Sequence, residues 1–248
     1  MLLIVTNQYD NTAAALAVQW GRADVRIMRP SDLSVGGWSY RPGDVGVSRF
    51  VAGGSPARTS DLSGVLTRMA CVFEGDLRHI QPADRAYVAS EMTALLLAWL
   101  SELPVPVINR PTATCLCGPL WSQERWLHMA AGLGIPVVTA RRQVRQPGSA
   151  SPTAPPQGPT PGQKASIRCT MVDGVCLGAP TPQCEKIAVR LAEHAACRLL
   201  SVCFQQDDPG HAVAGVDIWP DITNPPVAGA LLSALDGRGA RVGTGARR

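Results

Sequence analysis

The stretch Met1–Met28, MLLIVTNQYDNTAAALAVQWGRADVRIM, decides the fold class. Its first six residues form a continuous apolar run of the kind that lies buried on both faces of a sheet, so Met1 to Thr6 reads as a strand. Thr12 to Trp20 places alanines and a leucine on one face at helical spacing, and Val25 to Met28 returns to extended, β-branched chemistry. A strand, a helix and a strand in such short order predict a parallel sheet with a right-handed crossover. The intervening loop, Asn7, Gln8, Tyr9, Asp10 and Asn11, holds no glycine-rich phosphate fingerprint, so a dinucleotide site is not expected there.

Further along the chain the same alternation continues. Asp44 to Ala52 suggests an edge strand or hairpin, and Val65 to Met69 a further core strand. Ala86, Val88, Met92, Leu95, Leu96, Trp99 and Leu100 give Ala83 to Leu100 the period of a long amphipathic helix, ended by Leu103-Pro104. Val105 to Ile108 reads as a short buried strand leading into Asn109-Arg110-Pro111. Pro119 to Gly132 is expected to be helical, packing through Leu120, Leu127, Met129, Ala130 and Ala131, with Ile135 to Val138 extended after it. The large aromatics Trp99, Trp121 and Trp126 are read as packing residues.

Pro147 to Gly162 reads PGSASPTAPPQGPTPG, without a hydrophobic period and with repeated breakers. It lacks the apolar surface to offset an ordering entropy of about 1–2 kcal/mol per residue, so it reads as a flexible linker. After it, Ile167 to Val172 and Val175 to Gly178 flank Asp173-Gly174, a strong hairpin signal. Pro182 to Leu200 is expected to be helical, Leu200 to Phe204 and Ala212 to Ile218 to pair as strands, and Pro225 to Leu235 to form a last helix. The expected organisation is an α/β domain over residues 1–143, a Pro/Gly/Ser/Thr-rich linker over 144–165, an α+β unit over 166–236 and a disordered tail over 237–248.

Composition narrows the function classes. A hydrophobic content of 46% with 17% charged residues suits a globular fold, and 248 residues suffice for a sizeable core. The net charge of +4 comes almost wholly from arginine, since Lys164 and Lys186 are the only lysines. The arginines form no long basic run, so a nucleic-acid partner is not expected. Ala94 to Leu100, the longest apolar stretch inside the chain, is far shorter than the roughly 20 residues that span a bilayer, so no membrane partner is expected. Eight cysteines without a secretion signal point to reduced thiols and a cytoplasmic location. Cys115-Leu-Cys117 is the only close pair and does not have the spacing of a zinc half-site, so no metal is expected. His79, His128, His194 and His211 offer no sequence-local partner for a reactive thiol.

The element order and three local motifs resemble the ATP-grasp ligases of the glutathione synthetase, ribosomal-protein modifying and graspetide ligase type. The first is the run from Tyr87 and Glu91 along the long helix to Val107-Ile108-Asn109-Arg110-Pro111. The second is Trp126-Leu127 with Ala130 and Gly132-Leu133-Gly134-Ile135-Pro136. The third is Ile167-Arg168-Cys169-Thr170-Met171-Val172-Asp173-Gly174. The resemblance implies an N-terminal parallel-sheet domain of the pre-ATP-grasp type followed by a C-terminal α+β remnant of an ATP-grasp domain. It also implies ATP and magnesium as cofactors of the family, used to form an acyl phosphate from a carboxylate, a step that needs cations around the moving charge.

Three carriers of that charge are absent from the positions the resemblance gives them. Gln123 stands where the family has a lysine, and the Pro-rich segment stands where the small ATP-binding subdomain carries another. At the late magnesium site one register sets Asp217 and Trp219 against the family's acid and asparagine. The other sets Ile222 and Asn224 there, with Asp221 one position early. Losing charge-assisted contacts of about 1.5–3 kcal/mol each weakens nucleotide binding by roughly a thousandfold or more. The leading expectation is therefore a pseudoenzyme without catalytic residues or cofactor, serving as a binding or scaffold subunit for a partner protein or peptide, with a homo-oligomer left open. The alternative is an active ATP-dependent carboxylate-amine ligase with an altered or partner-completed site. Candidate residues for a residual ligand site are Asn109, Arg110, Arg168, Asp217, Asp221 and Asn224.

Overall fold

A computed structural model of the chain describes residues 1–138, 166–205 and 211–237. It is a mixed α/β structure built on one parallel and one antiparallel sheet. Both the Pro-rich stretch and most of the expected tail lie outside the described residues.

In the first sheet β1 (Leu2–Thr6) lies between β2 (Val25–Met28) and β5 (Gly64–Arg68), and β6 (Val107–Ile108) flanks β5, all parallel. The alternation of a strand distributes the apolar run of β1 to two cores. Leu3 and Val5 face α2 (Arg85–Glu102) and the hairpin of β3 (Arg49–Ala52) and β4 (Ser55–Arg58), where Phe50 and Trp99 meet. Leu2 and Ile4 face α1 (Asn11–Trp20) and α5 (Pro225–Leu235). The hairpin turns on Gly53-Gly54, both at positive φ, which glycine adopts without the Cβ penalty. On α2 the buried stripe is Ala89, Leu96, Trp99 and Leu100, whereas Ala86, expected on that face, is exposed.

In the second sheet the order is β10 (Val213–Asp217), β9 (Leu199–Gln205), β7 (Ser166–Val172) and β8 (Val175–Leu177), all antiparallel. The Asp173-Gly174 hairpin is present, with both residues at positive φ. The helix expected from Pro182 to Leu200 stops at His194, because Ala196 turns at φ 51° and Leu199 already pairs with Val172 in the sheet. This α4 buries Cys184, Ile187, Ala188 and Leu191 on one face of the sheet.

The helix α3 (Gln123–Gly132) begins four residues later than its sequence suggests, with Ser122 accepting from Arg125 N as its N-cap. Leu120 and Ala131 are consequently exposed, and Trp126, Leu127 and Ala130 provide the packing. They pack on the second sheet, where Val137 also bridges to Val213. Conversely, α5 packs against α1, with Trp20 Nε1 donating to Ala228 O at 2.9 Å and Arg22 paired with Asp236 at 2.6 Å. The two sheets are thus cross-braced, each covered by a helix that lies beside the other in sequence. Among the described residues no helix is long and apolar enough to cross a membrane.

Candidate functional site

In an open parallel sheet, ligand sites form outside the carboxyl ends of the strands where the connections diverge. Here that point lies between β1 and β5, since β1 connects to β2 on one side and β5 leads to β6 on the other. β1 ends at Thr6 and β5 at Arg68, both buried. Asp10, in the loop after β1, joins them. Its Oδ2 accepts from Thr6 Oγ1 at 2.9 Å and from Arg68 Nε at 3.0 Å. Its Oδ1 accepts from Thr12 N at 2.9 Å and Ala13 N at 3.2 Å, capping α1. Burial penalises the charged carboxylate, but the Arg68 charge and these hydrogen bonds outweigh it and hold Asp10 below its ordinary pKa.

From the other sheet, the chain leaving β10 brings Trp219 over the Arg68 guanidinium, 5.5 Å from its carbon to the ring centroid. Asp221 sits close by: its carboxylate accepts from Thr223 Oγ1 at 2.6 Å and Thr223 N at 2.9 Å, and those bonds, then the Arg68 charge, lower its pKa. From the loop after β6 come Cys115 and Cys117, both buried, with Sγ atoms 3.5 Å apart. Hydrogen bonding between them draws Cys115 down to about 7 and pushes Cys117 up, with burial reinforcing the rise.

Of the residues singled out from sequence, Arg168 and Asp217 come together on the face of the second sheet opposite α4, 3.5 Å apart and partly exposed. Asp217 Oδ1 also accepts from Trp219 N at 2.8 Å. Asn109 is elsewhere and fully used: its Nδ2 donates to Leu199 O at 2.8 Å, and its Oδ1 accepts from Arg198 N at 2.7 Å and Leu199 N at 2.8 Å. Arg110 donates to the carbonyls of Ser101, Leu103 and Val105 at the end of α2, a C-capping role. Asn224 is the N-cap residue of α5 without a side-chain cap bond. Arg168 thus meets Asp217 and the Asp221 carboxylate accepts from the Asn224 backbone, whereas Asn109 and Arg110 are committed to backbone groups elsewhere.

Gln123 holds the edge strand. Its Nε2 donates to Val216 O at 2.6 Å and its Oε1 accepts from Val216 N at 3.1 Å, as a neighbouring strand would. Magnesium needs several oxygen ligands in near-octahedral array, yet Asp217 faces a guanidinium and Asp221 is bound by Thr223. Among the described residues no three His, Cys, Asp or Glu side chains group so as to hold a metal ion.

Sequence reasoning missed Arg68 and Asp10. The available signal was positional: an arginine closing an apolar parallel strand and an aspartate just beyond its neighbour, both at the carboxyl edge.

This architecture is similar in fold to solved ATP-grasp ligases. Three solved structures illustrate the likeness. The RiPP-associated ATP-grasp ligase of Chryseobacterium gregarium, in complex with ADP and a leader and core peptide, superposes with a TM-score of 0.61 at 8% identity, covering 97% of each chain. Macrocyclase MdnC of Microcystis aeruginosa MRC, bound with precursor peptide MdnA, gives 0.62 at 13% identity over 96% of this chain and 100% of that one. ATP-grasp ligase PsnB complexed with precursor peptide PsnA2 and AMPPNP gives 0.60 at 14% identity over 94% and 98%. No protein-family model and no curated protein matches the chain.

Proposed function

We propose that the chain is a peptide-binding protein on an ATP-grasp ligase fold that does not itself turn over ATP, and that it acts as a binding or scaffold subunit for a partner enzyme in peptide modification. The observation that carries this reading is that groups the resemblance sets at a lysine position and at the late magnesium site are spent on contacts within the chain. Asp217 is paired with Arg168 of its own chain and accepts from Trp219 N, and Gln123 is committed to Val216. Lys186, the one lysine among the described residues, is exposed on α4. Catalysis of this kind is almost entirely positioning and charge stabilisation, so a fold without those groups keeps its binding surfaces and loses the chemistry.

The peptide half of the reading is supported by the likeness to ligases solved with leader, core or precursor peptides. An open groove of about 550 Å³ beside α2, lined by Cys71, Phe73, Ala89, Thr93, Leu97 and Ala113, offers an apolar surface of the required kind. The reading includes domain bounds at residues 143 and 166 and the loss of the small ATP-binding subdomain from 144–165, a segment that lies outside the described residues.

A second reading is favoured by one observation: Arg168 and Asp217 meet on an accessible sheet face, as the charged pair of an altered ligase site completed by another chain would. The test is titration of the full chain with peptides encoded beside its gene, with and without magnesium and ATP. Saturable binding that is indifferent to nucleotide and releases no ADP is expected. Peptide-dependent ADP release would establish the second reading instead, and failure of every such peptide to bind would remove the first.

A further inference from the structure

The fold gathers three cysteines at one edge of the parallel sheet. Cys71 lies just beyond β5, and Cys115 and Cys117 lie in the loop after β6. That loop is pinned: Thr112 N donates to Cys115 O at 2.8 Å, Cys115 N to Thr112 O at 3.3 Å, and Leu116 N to Ala70 O at 2.8 Å. It holds Cys115 and Cys117 at 1% and 3% exposure with their Sγ atoms 3.5 Å apart. A disulfide bond of about 2.05 Å therefore needs a further approach of only about 1.5 Å, with the loop already shaped for it. Cys71 is the partly exposed member. Together with Ala113, two residues before Cys115, it lines the groove beside α2, so the groove carries solvent to the edge of the pair. Burial, then the neighbouring Cys115 and Asp76, keep Cys71 above its ordinary pKa, whereas the bond from Cys117 makes Cys115 the thiolate of the group. A thiol that titrates near ambient pH is the most effective attacker.

We propose that Cys115 and Cys117 form a reversible redox site for hydrogen peroxide, with Cys115 as the attacking sulfur and Cys117 as the resolving one. The Cys115 thiolate attacks one peroxide oxygen, the O–O bond breaks, and the other oxygen leaves as hydroxide, which takes a proton from solvent. Cys115 is then a sulfenic acid. Cys117 loses its proton and attacks the Cys115 sulfur, the S–O bond breaks, and water leaves as the S–S bond forms. The two thiols give up two electrons and two protons, and the peroxide is reduced to two waters. Burial sets the selectivity, since a peroxide little larger than water enters where a bulky disulfide such as oxidised glutathione does not. A ring closed over Leu116 alone is strained, so an added dithiol reduces it again. The site is independent of the Arg168–Asp217 pair and of the peptide-binding reading.

The test treats the reduced full-length chain with hydrogen peroxide, quenches it with iodoacetamide in denaturant and weighs the tryptic fragments. Residues 86–125 form one fragment that holds both Cys115 and Cys117, because Arg110 precedes a proline, and Cys71 falls in another, residues 69–78. The fragment 86–125 should emerge two hydrogens lighter and unalkylated, with Cys71 still alkylated, and dithiothreitol should restore it. Its oxidation should run at least about tenfold faster than that of Cys197, a buried thiol bonded only to Ala195 O, and at least about tenfold faster with peroxide than with oxidised glutathione. In Cys117→Ser the reaction should stop at Cys115 as a sulfenic acid that dimedone traps, with circular dichroism checking the fold. Four results on the parent chain, which need no variant, would each overturn the proposal. They are a disulfide that includes Cys71, both cysteines of 86–125 alkylated as before, oxidised glutathione reacting as fast as peroxide, and oxidation no faster than at Cys197.

Discussion

Asn109→Ala tests how the two sheets are held together. The amide is buried at 2% exposure and makes three hydrogen bonds of 2.7–2.8 Å to the Arg198–Leu199 backbone at the entry to β9. Truncation deletes the amide and leaves the Leu199 N–H and C=O beside β6 without those partners. Each orphaned buried group costs about 1–3 kcal/mol, and a small void adds to it, so a loss of roughly 3–5 kcal/mol is expected. With a urea slope of about 3 kcal/mol per molar, the unfolding midpoint should fall by roughly 1–1.7 M at unchanged slope. Equilibrium unfolding followed by tryptophan fluorescence and by circular dichroism measures this. A midpoint within about 0.3 M of the parent, with ligand binding abolished, would refute the structural role and return Asn109 to a ligand site.

Gly64→Ala should destabilise by about 1–3 kcal/mol, because a Cβ there would stand 2.5 Å from Leu235 O and 2.9 Å from Leu235 Cβ; thermal melting checks it. Arg110→Ala removes the carbonyl contacts at the end of α2 and should cost about 1 kcal/mol while leaving peptide affinity unchanged, as unfolding and titration would show together. Asp10 has a folded pKa below its ordinary value of 3.8, so its contribution to stability is complete above that value and is lost as the pH falls through the lower folded one. In Asp10→Asn the acid limb of a stability–pH profile should therefore be shallower, and an unchanged limb would count against the ion pair. Thiolate absorbance should show one step centred at about 7, from Cys115, that disappears in Cys117→Ala.

Much of the fold was legible because it rests on local chemistry. The opening apolar run, the Asp173-Gly174 turn and the period of α5 each dictate their element without reference to the rest of the chain. Boundaries moved where tertiary contacts override local preference: α4 ends early because Leu199 is claimed by the sheet, and α3 starts late because Ser122 caps it. Arg168 and Asp217 stood out separately in the sequence, and their meeting follows from strands that flank β9. Asn109, Arg110 and Gln123 were polar residues at suggestive positions whose side chains answer backbone groups far away in sequence or at a helix end. No periodicity reveals such partners. Arg68 and Asp10 escaped for the same reason, since each is an ordinary charge until parallel pairing of β1 with β5 sets them side by side.

Calorimetric titration of the full-length chain with ATP and magnesium tests the proposed loss of nucleotide binding most directly. Heats indistinguishable from dilution through the micromolar range are the expected result. Saturable micromolar binding, lost on removing magnesium, would contradict it.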